Sequence, residues 1–110
     1  MRRKRGKMDF DIEKVSGIGE YAKKNLLEDG EKKGIVFQAP NERAFAVWHF
    51  GKTLEVRTDS NLAKLLTEKY ETVMQSRYFG RGGIEVVLSG QIPEEEIYDL
   101  VRLSYNLTVE

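Results

Sequence analysis

A chain of 110 residues, 40% hydrophobic and 33% charged, has the length of one domain and the composition of a globular one. It has no cysteine and a single histidine, which excludes disulfide frameworks, thiolate zinc sites, iron–sulfur clusters and cysteine nucleophiles. Its formal charge of zero conceals an asymmetry: Arg2, Arg3, Lys4, Arg5 and Lys7 place five of the 18 basic residues in the first seven positions, so the rest of the chain is mildly acidic.

Residues 1–10 are therefore expected to form a basic, disordered arm, followed by one α+β domain over residues 11–110. Such an arm can follow a phosphate backbone, each cation displacing a counterion, or it can be a solvated terminus, and Met8 offers a second possible start just behind it. The acidic Asp9, Asp11 and Glu13 occupy the place where a signal peptide would have its apolar core. The longest uninterrupted apolar run, Ala44 to Trp48, is too short to cross a membrane, so no membrane association and a cytoplasmic location are expected.

Next, Val15-Ser16-Gly17-Ile18-Gly19 has the glycine pattern of the phosphate-holding turn in helix-hairpin-helix modules, or is a plain loop that caps a helix. The spacing of Tyr21, Ala22, Leu26 and Leu27 predicts a helix over Glu20 to Asp29, ending at Gly30. Three strands are expected after it: Gly34 to Ala39, then Ala44 to Phe50 and Thr53 to Thr58 around a tight Gly51-Lys52 turn. With Phe50 opposite Thr53, that turn puts Phe45, Val47, Leu54 and Val56 on a core face. It puts Ala46, Trp48, Phe50, Glu55 and Arg57 on the other, an aromatic and charged contact surface unless a helix or a partner covers it. His49 falls on the apolar side and is assigned no chemistry, because one histidine with no placed nucleophile makes neither a metal site nor a catalytic pair.

Asp59 or Ser60 can cap an amphipathic helix carrying Leu62, Leu65, Leu66, Lys69, Tyr70 and Val73 on one side. Strand-like Met74 to Phe79 then meets a Gly80-Arg81-Gly82-Gly83 turn and a strand from Ile84 to Ser89, with Ile84, Val86 and Leu88 pointing inward. That turn runs into a strand rather than a helix, so it lacks the context of a nucleotide loop. In the final helix Pro93 suits the first position, Glu94, Glu95 and Glu96 complement the dipole, and Ile97, Leu100, Val101, Ser104 and Tyr105 make one stripe. The three glutamates diverge around the helix and cannot converge on one substrate atom.

In that element order, and above all in LEVRTDSNLAKLLTEKYETV followed by IEVVLSGQIPEEEIYDLVRLSYNLT, the chain resembles the MmcQ/YjbR family of small bacterial proteins over roughly residues 16 to 109. The resemblance implies a two-layer α/β sandwich, α-β(3)-α-β(2)-α, with helices on one side of a curved antiparallel sheet. Family members are commonly labelled DNA-binding. Where they often carry a histidine- and lysine-bearing segment ending in tryptophan, this chain has Arg77-Tyr78-Phe79-Gly80-Arg81-Gly82-Gly83-Ile84.

Two functions are expected to compete, neither enzymatic and neither needing a cofactor or metal. One is DNA binding through Arg2, Arg3, Lys4, Arg5, Lys7, Trp48, Arg57, Arg77 and Arg81. The other is a protein-interaction or adaptor domain, laid out like a secretion chaperone, that binds a protein partner or associates with itself through an exposed aromatic face.

Overall fold

The computed structural model describes residues 15, 17, 18, 23–29, 32–50 and 52–110. Their elements, in chain order, are β1 (Lys23–Asp29), β2 (Lys32–Gln38), β3 (Ala44–His49), β4 (Thr53–Arg57), α1 (Ser60–Lys69), β5 (Val73–Ser76), β6 (Gly80–Val87) and α2 (Glu94–Val109). The strands form one antiparallel sheet in the order β1-β2-β3-β4-β6-β5. Helix α2 lies against β3 and β4, and α1 against β5 and β6, which is the expected α+β sandwich of two layers.

The predicted helix over Glu20 to Asp29 is corrected to a strand where it is described. Lys23–Asp29 pairs residue for residue with β2, from Lys23 opposite Gln38 to Asp29 opposite Lys32. In the sequence Gly30 and Glu31 stand between the two strands, and a glycine at that place is easily read as a helix stop. From Lys23 onward the order is thus β(4)-α-β(2)-α, with four strands and not three before α1. The basic arm lies outside these residues, as do Ser16 and Gly19 of the glycine phrase.

A second correction concerns the β3–β4 register. His49, not Phe50, opposes Thr53; Trp48 opposes Leu54, Val47 opposes Glu55 and Ala46 opposes Val56. Lys52 N donates to His49 O at 2.8 Å, so the turn begins one residue earlier than the Gly51-Lys52 pair suggests. Because side chains alternate with period two, that slip moves every β3 residue to the other face. Phe45 keeps its core position through a bulge, where the β2–β3 register jumps from Phe37–Ala46 to Gln38–Ala44. A third correction places Gly80–Gly83 inside β6; the turn is Arg77 to Phe79.

The main core sits between sheet and helices, where Phe37, Phe45, Leu54, Val56, Ile84 and Val86 meet Ala63, Ile97 and Val101. Burying each of the large apolar side chains stabilises the fold by about 1.5–3 kcal/mol. Asp59 Oδ1 caps α1 by accepting from Leu62 N at 2.8 Å, but only Ala63 of that helix is fully buried and Leu65 is exposed. In α2 the expected stripe holds, with Ile97, Val101 and Ser104 buried and Leu100 and Tyr105 half-buried; Pro93 precedes the first helical residue instead of occupying it. Phe45 meets the Tyr105 ring edge-on at 5.1 Å.

Candidate functional site

The face of the sheet turned away from the helices holds a compact polar cluster. Glu55 of β4 and Glu85 of β6 are cross-strand partners, 2% and 3% exposed. Glu55 Oε1 accepts from Ser76 Oγ at 2.6 Å and from the Tyr78 amide at 2.9 Å, while Oε2 lies 2.6 Å from His49 Nε2. An ionised carboxylate only accepts, so Nε2 is the nitrogen that carries the proton. Glu85 is held by Arg77, whose Nε donates to Oε1 at 3.0 Å and Nη2 to Oε2 at 2.7 Å, and Thr53 Oγ1 donates to the same Oε2 at 2.8 Å.

Burial works to raise the Glu55 carboxyl, but the hydrogen bonds from Ser76, His49 and the Tyr78 amide, with the nearby His49 charge, outweigh it and hold the group below its ordinary value. The bidentate bond to Glu85 raises the Arg77 guanidinium. His49, Glu55 and Glu85 each bring one ligand-type atom within 4.8 Å of the others, which is the spacing of a metal centre. All four carboxylate oxygens already have protein donors, however, so the cluster satisfies its own hydrogen-bonding needs. His49, expected on the apolar side, is brought to this polar face by the observed register. The signal was present, because each glutamate stands alone in an apolar run, Leu54-Glu55-Val56 and Ile84-Glu85-Val86.

The segment Arg77–Phe79 folds over this face. Phe79 covers Val36, Ala44 and Val47, forming a second small core. Gly83 lets it approach, since a Cβ there would stand 2.6 Å from Phe79 Cβ and 2.8 Å from Val56 O. Arg57 lies over the Phe79 ring at 4.8 Å, donates from Nε to Thr108 Oγ1 at 3.1 Å and from Nη2 to Ala44 O at 3.0 Å. Burial, helped by Arg43, pushes the Arg57 guanidinium down.

The four body residues expected to touch nucleic acid are therefore not brought together. Arg57 ties strand ends to α2, Arg77 binds Glu85, and Trp48 lies half-buried on the helix side, packed against the main core. Arg81 is exposed. Arg2, Arg3, Lys4, Arg5 and Lys7 lie outside the described residues.

What the register does assemble is an apolar row across the helix-side face. Leu26, Ile35, Trp48, Leu54, Val86 and Val73 are successive cross-strand partners from β1 to β5. Leu54, Val86 and Val73 are buried, Trp48 and Ile35 half-buried, and Leu26 is 64% exposed. The row thus emerges from beneath the helices and ends uncovered at the β1 edge. Phe50, also exposed, meets the Trp48 ring edge-on at 5.1 Å, and the buried Trp48 Nε1 has no hydrogen-bond partner among the described residues. A shallow groove between α1 and α2, lined by Leu66, Tyr70, Ile92, Leu100 and Leu103, is a lesser apolar surface.

No family model matches the chain, and no curated protein matches it. Among solved structures, it is similar to the crystal structure of Deinococcus radiodurans protein DR2400, a DUF419 domain, with a TM-score of 0.80 and 18% identity over 96% of this chain and 80% of that one. DUF419 is related to the MmcQ/YjbR-like fold, so the likeness supports the architecture that the sequence resemblance implied. Among the described residues no helix is long and apolar enough to cross a membrane.

Proposed function

We propose that this chain is a non-enzymatic protein-interaction domain of the MmcQ/YjbR type, and that its docking surface is the open end of the sheet at β1 and β2. The observation that carries this reading is the apolar row ending at Leu26 with its exposure rising toward the edge, since an uncovered apolar row of this kind marks a site of protein contact. The pairing of Arg57 with Thr108 and of Arg77 with Glu85 supports it further, because phosphate contacts draw on cations that are not already held by the fold. DNA binding, the competing reading, rests on the arm and on Arg81.

The test is binding of labelled single- and double-stranded DNA at two salt concentrations, by the full chain and by a full-length variant with Arg2, Arg3, Lys4, Arg5 and Lys7 replaced by glutamine. Absence of binding by the variant is expected. Salt-sensitive binding by the variant at micromolar concentration overturns the protein-docking reading, and binding only by the parent chain assigns DNA affinity to the arm alone.

A further inference from the structure

We propose that the occupant of this open edge is a second copy of the chain, joined β1 to β1 in an antiparallel pair about a two-fold axis at Leu26. The inference rests on the protein-docking reading above and names its partner. Among the described residues β1 ends the sheet, and along a terminal strand alternate N–H and C=O groups point outward, ready to pair. The opposite edge, β5, is shorter and its pairing with β6 is irregular.

The strand reads Lys-Lys-Asn-Leu-Leu-Glu-Asp, and this order is complementary to its own reverse. In the register centred on Leu26, position 23 meets the second copy's Asp29, position 24 its Glu28, position 25 its Leu27, and Leu26 meets Leu26. Lysine on an edge strand usually guards against pairing. Here the antiparallel register turns that guard into attraction, while a parallel pairing sets lysine against lysine and acid against acid. Within one copy, Glu28 and Asp29 already oppose Lys33 and Lys32 of β2. In the pair each acidic position lies between lysines of both neighbours, and opposite charges facing across strands are favourable.

Cross-strand partners share a face, so the same register sets the two exposed Leu26 side chains against each other on the helix side and joins the two apolar rows end to end. Among the described residues, α1 and α2 pack on β3 to β6 and not on β1. The product is one continuous sheet with an isologous interface, the commonest symmetry of soluble homo-oligomers.

Because the chain has no cysteine, one substitution reports the axis directly. Directly opposed residues of an antiparallel pair have Cα atoms roughly 4.5–5.5 Å apart, inside the roughly 4.4–6.8 Å range of a disulfide. Mild oxidation of full-length Leu26→Cys is expected to give a covalent dimer far faster than Phe50→Cys, which is exposed but away from the axis. Sedimentation of the parent chain is expected to show reversible dimers. Lys23→Glu with Lys24→Glu is expected to weaken them roughly tenfold or more, and adding Glu28→Lys and Asp29→Lys to restore them. A chain that sediments as a monomer at every concentration, with Leu26→Cys crosslinking no faster than Phe50→Cys, overturns the dimer. If the arm-neutralised variant also fails to bind DNA, the protein-docking reading survives with a different partner; if it binds DNA, both fail.

Discussion

Glu55 and Glu85 stand directly opposite each other on β4 and β6, both buried, and each is held by a different partner: His49 for the first and Arg77 for the second. Like charges facing across a strand pair are ordinarily destabilising. The two strands tolerate them because donors arrive from the end of β3, from the Ser76–Tyr78 stretch and from Thr53 of β4 itself.

This arrangement makes stability depend on acid. Glu55 has a folded value below its ordinary 4.5, so its contribution is complete above 4.5 and is lost as pH falls through the lower folded value. The urea midpoint is expected to fall steeply in that window, and Glu55→Gln to start from a lower plateau at neutral pH and flatten the fall. Glu55→Ala, which also orphans Ser76 and the Tyr78 amide, is expected to cost about 3–5 kcal/mol at neutral pH. An unchanged acid profile in Glu55→Gln would refute this account.

Ser104 supplies a second polar junction. Its Oγ accepts from Arg57 N at 2.8 Å and donates to Phe45 O at 2.5 Å, bridging β4 and β3 just beyond their last paired residues, Ala46 and Val56, where the bulge begins. Ser104→Ala leaves a strand N–H and a strand carbonyl without that partner, each worth roughly 1–3 kcal/mol when buried and unsatisfied. Chemical denaturation is expected to show that loss with an unchanged m-value.

At Gly83 the expected effect is steric. Gly83→Ala pushes a methyl group into Phe79 Cβ and the Val56 carbonyl, so Phe79 must lift from Val36 and Val47. A loss of about 1–3 kcal/mol is expected, read as a lower melting temperature. Gly82→Ala is the control, since its nearest neighbour, Thr58 O, is at an ordinary 3.5 Å.

Arg77 and Arg81 separate fold from surface. Arg77→Glu breaks both bonds to the buried Glu85 and is expected to lower thermal stability despite the exposure of the arginine, whereas exposed Arg81→Glu is expected to change it by less than about 0.5 kcal/mol. Loss of a ligand on reversing Arg77 alone would therefore report damage to the sheet. Equal melting temperatures for the two variants would remove the structural role assigned to Arg77.

The last helix, the Asp59 cap and the inward alternation of Ile84, Val86 and Leu88 were legible because each rests on local signals: proline and acids at a helix start, a capping carboxylate, and period-two hydrophobicity. β1 was not, since Leu26 and Leu27 fit a helix as well as a strand, and what decides between the two is pairing with Ile35 and Gly34. The β3–β4 faces were lost to a turn one residue longer than the Gly-X pair suggests, and with them the whole polar site. His49 meets Glu55 only in the observed register, and Glu85 comes from a strand that pairs with β4 after an intervening helix and strand. Tertiary pairing of that kind leaves no mark in local spacing beyond the isolated glutamates themselves.

The order β1-β2-β3-β4-β6-β5 divides assembly into two unequal tasks. β1 to β4 form by successive hairpins and β5–β6 by another, but Thr53–Arg57 and Gly83–Val87 meet only after the chain between them has closed into a loop. Long-range closure is the slow part of folding. Until it happens, Leu54 and Val56 lie along one raw strand edge and Ile84 and Val86 along another, so the interval before the seam closes is when this chain is most open to aggregation.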